Sequence, residues 1–261
     1  MRNRIDICLS PSLLDLFDLS NKQVVVIDVF RATSAMCVFL HNGGERVIPV
    51  ANIQDAIHYK KHGNPLYEKK YLVAAERNGA IVSGFDLGNS PLSYHNQNFQ
   101  NVSLAITTTN GTLAINKAKM AGNGMLLASF LNASSIVDYI SSCDNDVLIV
   151  CSGWKGRLCV EDILLAGLLS EKLLFKNNFL SDSDSVILAK NMYNLAKSNL
   201  FQFLADSAYR TRMDLDSDVK YCLQIDIMDV VPIWHPFTAN REDTQVGSGF
   251  FHSHKNEKFK L

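Results

Sequence analysis

Asp28 closes the β-branched run Val24-Val-Val-Ile-Asp-Val29, which reads as a strand buried on both faces, and Arg31, Thr33 and Ser34 follow where a helical pattern begins. Ligands of open α/β sheets bind at that carboxyl edge of the strands. An acid there can hold a metal, an arginine can grip phosphate through paired hydrogen bonds, and a helix start adds free N–H groups. The plainer alternative is that Thr33 or Ser34 caps the helix while Asp28 and Arg31 pair with each other. Either way, charges beside a buried strand are costly unless used or paired.

Three further segments carry related chemistry. Glu76 and Arg77, in Ala75-Glu-Arg-Asn-Gly79, repeat the acid-plus-arginine arrangement at another strand end. The loop Gly84-Phe-Asp-Leu-Gly-Asn-Ser-Pro91 follows; it is rich in turn formers and contains Asn89 as a candidate substrate contact. Thr107-Thr-Thr-Asn-Gly-Thr112 lies between a predicted strand and a predicted helix over 113–119. Thr109, Asn110 and Gly111 there can cradle an anion, although Asn-Gly is also a common tight turn.

In Cys151-Ser-Gly-Trp-Lys-Gly-Arg157 two routes stay open. Cys151 and Arg157 have the C-x5-R spacing of cysteine-dependent phosphatases, yet Val150 stands where histidine is usual and Leu158 where a hydroxyl is usual. Alternatively Cys151 ends a strand, Ser152 and Gly153 shape a loop, and Glu161 or Asp162 offers hard oxygens to Mg²⁺. Adjacent helical residues diverge by about 100°, so one of the two acids faces the site directly.

The elements that must position these residues alternate. Apolar runs at 45–50, 71–75, 102–106, 125–128 and 147–151, with helical patterns between several of them, predict an α/β fold: a largely parallel or mixed sheet flanked by helices. Asn52 and Asn132 are N-cap residue types, and Gly63-Asn-Pro65 ends the helix after Asn52. Residues 160–175 are strongly helical and more helical segments fill 182–209, making the C-terminal half helix-richer. The expected organisation is an α/β lobe over 1–151 and a helix-richer lobe over 152–261 packed against it, or one continuous domain. Residues 225–232 predict a strand closed by Pro232, and a polar tail follows in which His252 and His254 are solvated rather than metal-binding.

At 261 residues, 47% hydrophobic and 20% charged, the chain is an ordinary globular protein. A net charge of -1 gives no footprint for nucleic acid or an anionic membrane. With neither a signal-peptide pattern nor a membrane-length apolar run, a cytoplasmic location is expected. The six cysteines form no C-x-x-C pair and read mostly as reduced, buried small side chains. Signatures of P-loop, Rossmann, α/β-hydrolase and zincin proteins are missing, and Phe30 stands where a paired-aspartate phosphatase would have its second acid.

Taken in order and spacing, VVVIDVFRATS, AERNG, GFDLGNSP, TTTNGT and CSGWKGR, with the ED and AG after it, resemble the 2-phosphosulfolactate phosphatase family from Val24 to Gly167, with a weaker echo through Asp226 to Pro232. Ala75 and Asn78 stand where that family often has glycines. The resemblance implies Mg²⁺-dependent hydrolysis of 2-phospho-3-sulfolactate to sulfolactate and phosphate, a step of coenzyme M biosynthesis. On that basis Asp28 with Glu161 or Asp162 holds Mg²⁺, Arg31 and the Asn110-Gly111 loop stabilise the phosphoryl oxygens, and Arg77 meets the carboxylate or sulfonate. Glu76 is a further metal ligand or a base. The substrate is a small phosphorylated sulfonate or hydroxy acid, and a homodimer is the commonest assembly for such an enzyme. The same strand ends could instead bind an anionic metabolite without turnover.

Overall fold

The computed structural model describes residues 2–62, 70–77, 79–237 and 248–254. The strands are β1 (Asn3–Cys8), β2 (Lys22–Ile27), β3 (Arg46–Pro49), β4 (Lys70–Arg77), β5 (Ala80–Ile81), β6 (Val102–Thr107), β7 (Met125–Ala128), β8 (Asp146–Cys151), β9 (Phe179–Leu180), β10 (Pro232–Pro236) and β11 (Gly249–Ser253). The helices are α1 (Ala32–His41), α2 (Ile53–His62), α3 (Gly111–Ala118), α4 (Ala133–Ser142), α5 (Val160–Phe175), α6 (Asp184–Ala196), α7 (Leu200–Phe203), α8 (Ala208–Arg212) and α9 (Asp216–Cys222).

All the strands join one mixed sheet in the order β5-β4-β6-β3-β11-β10-β7-β2-β8-β1-β9. Two parallel blocks, β4-β6-β3 and β7-β2-β8-β1-β9, are bridged by the antiparallel pair β10-β11. Strands from both sides of position 152 therefore share the sheet. Both faces of β2 are covered, which is why its sequence does not alternate. Val25 and Ile27 pack with Ile136 and Leu165 of α4 and α5, whereas Val24 and Val26 pack with Met36, Phe39 and Ile115 of α1 and α3. No described helix is long and apolar enough to cross a membrane.

Curvature of this sheet assembles the site. Six inter-strand steps separate β4 from β2, which in a flat sheet would hold them about 29 Å apart at about 4.8 Å per step. Yet Arg31, just after β2, reaches Glu76 at the end of β4 with 3.1 Å between Nη2 and Oε2. α3, which follows β6, packs directly on β2. Twist accumulated over so many strands folds the two blocks toward each other.

Several expectations need correction. The strand expected over 225–232 begins only at Pro232. Asp226 stands at φ 58°, and its carboxylate accepts from the N–H and hydroxyl of Ser134, both 2.6 Å, so that stretch is a loop clamped to the start of α4. The tail is not wholly solvated: β11 lies inside the sheet, paired with β10 and β3, and Phe251 is fully buried. His252 accordingly lies against His235, ring centroids 4.2 Å apart and tilted by 32°. Asn52 does cap α2, accepting from the Asp55 N–H at 3.0 Å. Asn132 does not cap α4 with its side chain, which instead accepts from the Ser129 N–H and donates to the Val230 carbonyl. The helix stop assigned to Gly63-Asn-Pro65 lies outside the described residues.

Candidate active site

The segment after β2 is locked by its own hydroxyls. Thr33 accepts from the Asp28 N–H at 3.0 Å and donates to the Asp28 carbonyl at 2.9 Å, while Ser34 donates to the Val29 carbonyl at 2.9 Å. Thr33 is thereby consumed in shaping the turn, and Asp28 and Arg31 are left facing a cavity of about 390 Å³. Asp28 and Arg31 form no pair. Arg31 instead donates through Nη1 to Asp218 and through Nη2 to Glu76. Glu76 takes the Gly79 N–H on its other oxygen, and Arg77 beside it is exposed, with Nη1 donating to the Glu76 carbonyl at 2.8 Å.

The β6–α3 loop forms the opposite wall. Thr108 and Thr112 exchange backbone N–H to hydroxyl bonds of 3.0 Å each, which fixes the turn that presents Thr108, Thr109 and Asn110 to the cavity. Gly111 starts α3 where a Cβ would sit 2.8 Å from Asp28 Oδ2 and 3.0 Å from Ala32 Cβ, so only glycine lets the two loops approach this closely. Asn110 Oδ1 accepts from the Lys155 N–H at 3.0 Å, joining this wall to the loop after β8.

That third loop is a tight hairpin. Trp154 and Arg157 exchange backbone bonds of 2.8 and 3.0 Å, and Gly153 at φ 57° has no room for a side chain, since a Cβ would meet the Arg157 carbonyl at 2.1 Å. The hairpin points Trp154 and Lys155 into the cavity, whereas Arg157 is exposed and lines none of it. Ser152 is buried, with its N–H donating to the Ile27 carbonyl at 2.8 Å. Cys151 is fully buried at the strand end and also lines none of the cavity; burial pushes its thiol well up, the neighbouring Asp162 adding to this. A thiolate nucleophile needs the reverse on both counts.

The start of α5 brings the acids. Asp162 accepts from the Val29 N–H and the Gly153 N–H, both 2.9 Å, and Glu161 and Asp162 both line the cavity. Burial pushes the Asp28 carboxyl up to about 6 and the Glu161 carboxyl up to about 7, and raises Asp162 as well. Mutual repulsion adds to burial, while N–H groups of Ala32 and Gly111 oppose it at Asp28. No Lys or Arg ion pair reaches any of the three among the described residues. Uncompensated buried acids of this kind suit a hard divalent cation. No group of three His, Cys, Asp or Glu side chains stands ready-made for a metal among the described residues.

The C-terminal helices complete the walls with residues that carry no recognisable motif. Tyr209 and Arg212 of α8 and Met213 line the cavity, and Asp218 of α9 holds Arg31. Arg212 lies over the Trp154 ring at 3.8 Å and Lys155 over the same ring at 4.6 Å. Two buried polar atoms on the wall, Asn89 Oδ1 and the Tyr209 hydroxyl, have no partner among the described residues, which marks them for a ligand or water.

Arginines and an amide-rich loop facing buried acids at the strand ends of an α/β sheet suit the hydrolysis of a phosphoric monoester. Sequence comparison is specific on this point. The model of a family described as 2-phosphosulpholactate phosphatase matches residues 8–236. The chain is 38% identical over 221 residues to the "Probable 2-phosphosulfolactate phosphatase" of Caldanaerobacter subterraneus subsp. tengcongensis, covering 82% of this chain and 88% of that protein. It is 37% identical over 235 residues to the like-named protein of Clostridium novyi (89% and 97% covered), and 36% over 214 residues to that of Thermotoga maritima (81% and 88%). The chain belongs to the 2-phosphosulfolactate phosphatase family, whose members are phosphoric monoester hydrolases.

Proposed function

We propose that this protein hydrolyses the phosphoester of 2-phospho-3-sulfolactate with the help of Mg²⁺, the reaction that the family's name describes. The observation that carries the metal half of this reading is that three buried acids, Asp28, Glu161 and Asp162, line one cavity with no basic side chain paired to them among the described residues. Asp28 with Glu161 or Asp162 would hold the cation; Asp162 also braces the Val29 and Gly153 N–H groups with its two oxygens. Bound there, Mg²⁺ supplies positive charge for the phosphoryl oxygens and acidifies a water.

The chain's own groups do the rest. Arg31, held from behind by Glu76 and Asp218, donates to the equatorial oxygens of the phosphoryl group, where negative charge spreads in the transition state. The turn at Thr109 and Asn110, with the Asn110 side-chain amide nitrogen, adds donors to the same oxygens. A cavity-lining carboxylate not engaged with the cation would take the proton of the attacking water. Arg77, Lys155 and Arg212 at the cavity wall receive the carboxylate and sulfonate of the substrate.

Phosphate release from 2-phospho-3-sulfolactate and from a panel of small phosphoesters, with Mg²⁺ and with EDTA, tests both halves. Release that requires Mg²⁺ and favours the sulfolactate ester is the expected result. Saturable binding without release, or release indifferent to EDTA, would refute it.

A further inference from the structure

Arg31 is held by a residue that lies 187 positions away and that no motif marks. Asp218 is 4% exposed; one of its carboxylate oxygens takes Arg31 Nη1, and the other takes the Ser90 hydroxyl at 2.5 Å. Arg31 itself is 4% exposed, and its Nη2 goes to Glu76 at 3.1 Å. A buried guanidinium gripped on two edges by separate carboxylates has almost no rotational freedom left. Glu76 alone would leave the fork free to swing about one contact. The second grip comes from α9, whose side chains Val219 and Cys222 are fully buried and so fix the helix that carries Asp218.

We infer that Asp218 is a positioning residue of the phosphatase site: its carboxylate, itself oriented by Ser90, aims Arg31 at the phosphoryl group. The inference rests on the proposed role of Arg31, and it gives α9 and the loop around Ser90 a function in catalysis. Asp218 lines none of the cavity, so it acts through Arg31 and not on the substrate.

The test is a double-mutant cycle. Misplacing a catalytic group by about 1 Å costs about 100-fold. Asp218→Ala should therefore lower kcat about 100-fold with KM changed by less than about threefold, and Asp218→Asn, which keeps an acceptor toward Arg31 and a donor toward Ser90, should recover about tenfold of that. In an Arg31→Ala background neither substitution should lower activity further, because residues that act as a unit are not additive. Full activity of both Asp218 variants, or the same loss with and without Arg31, would overturn the inference. If Asp218→Ala does not fold, Asp218→Asn alone completes the cycle, with the melting temperature as its folding control. Titration of inorganic phosphate into the same variants gives a cycle without turnover: coupling between positions 31 and 218 supports the inference, and independence refutes it. A wild-type protein that releases no phosphate would count against the proposed function alone, and the phosphate cycle would still decide the role of Asp218.

Discussion

Asp162 accepts a hydrogen bond of 2.9 Å from the backbone N–H of Val29, the residue that follows Asp28, and so ties the start of α5 to the end of β2 across 133 positions. Its other oxygen takes the Gly153 N–H. A single buried carboxylate thus sets the spacing between two loops of the site, one carrying Asp28 and the other Trp154 and Lys155. Asp162→Ala would strand two buried N–H donors, each worth about 1–3 kcal/mol when unsatisfied. We expect it to lower both the melting temperature and turnover. Asp28→Asn should act differently, cutting Mg²⁺-dependent turnover about 1,000-fold or more in a protein that still folds. Retained Mg²⁺ stimulation in a folded Asp28→Asn protein, measured by phosphate release, would remove Asp28 from the metal site.

The pH dependence of stability follows from the same acids. An exposed carboxyl in the unfolded chain titrates near about 4, whereas the folded carboxyls sit at about 6 for Asp28 and about 7 for Glu161. The folded state holds these protons more tightly. Their contribution to stability is complete below about pH 4 and is lost as the pH rises through about 6 to about 7. In EDTA, the melting temperature should therefore fall between about pH 5.5 and pH 8, and Asp28→Asn should flatten that fall. A melting temperature that climbs over this window in EDTA would show that the acids are not raised.

Gly111 offers a test of the approach between the β2 and β6 loops. A Cβ at this position would press Asp28 Oδ2 at 2.8 Å, Ala32 Cβ at 3.0 Å and Thr108 Oγ1 at 3.1 Å. Gly111→Ala should thus displace Asp28 by a few tenths of an ångström and lower turnover about 10- to 100-fold. α3 should persist, because alanine is a better helix former than glycine. Circular dichroism and kinetics on the same preparation separate the two effects, and unchanged kinetics would mean that the loops are not closely packed.

Much of the scaffold was legible because burial on two faces leaves a plain signature. α5 spans the stretch that the pattern marked, and β4, β6, β7 and β8 cover the apolar runs at 71–75, 102–106, 125–128 and 147–151. β1 leaves a fainter mark, because Ile5 and Ile7 alternate with Arg4 and Asp6 over too few residues to stand out. β11 was hidden by its polar neighbours, and only the Phe250-Phe251 pair hinted at a buried strand. At the site, strand-end acids and arginines were readable one loop at a time. Which of them touch was not, because contacts such as Arg31 with Asp218 depend on how the sheet curls. Tyr209, Arg212 and Asp218 sit on short helices with no local pattern that distinguishes a cavity wall from a solvated turn.

The thiolate route also predicts a clear result. Cys151 has no exposed surface and its thiol is pushed well up, first by burial and then by Asp162. Cys151→Ala removes one buried sulfur, a change of about 1–2 kcal/mol in stability. We expect turnover to stay within about threefold of wild type, since no catalytic atom is lost. Abolished turnover with an unchanged melting temperature would revive Cys151 as the nucleophile.

Substrate preference should divide along the wall formed by Trp154, Lys155 and Arg212. Arg212 stacks on Trp154 at 3.8 Å and Lys155 lies over the same ring at 4.6 Å, yet neither has a carboxylate ion pair among the described residues. Their charges are therefore available to an anion in the cavity, and the indole keeps the guanidinium flat and facing inward. A sulfonate or carboxylate beside the phosphoester would meet them before and during phosphoryl transfer alike. Binding that is equal in ground and transition states appears in KM and leaves kcat alone. Arg212→Ala should raise KM about 10- to 100-fold for 2-phospho-3-sulfolactate with kcat within about threefold. For a phosphoester with no second acid, the same substitution should change little. Arg212→Lys keeps the charge but loses the stacked plane, so it should recover part of the affinity. An equal rise in KM for both substrates would mean that Arg212 touches the phosphate itself, and an effect on kcat alone would place it with Arg31.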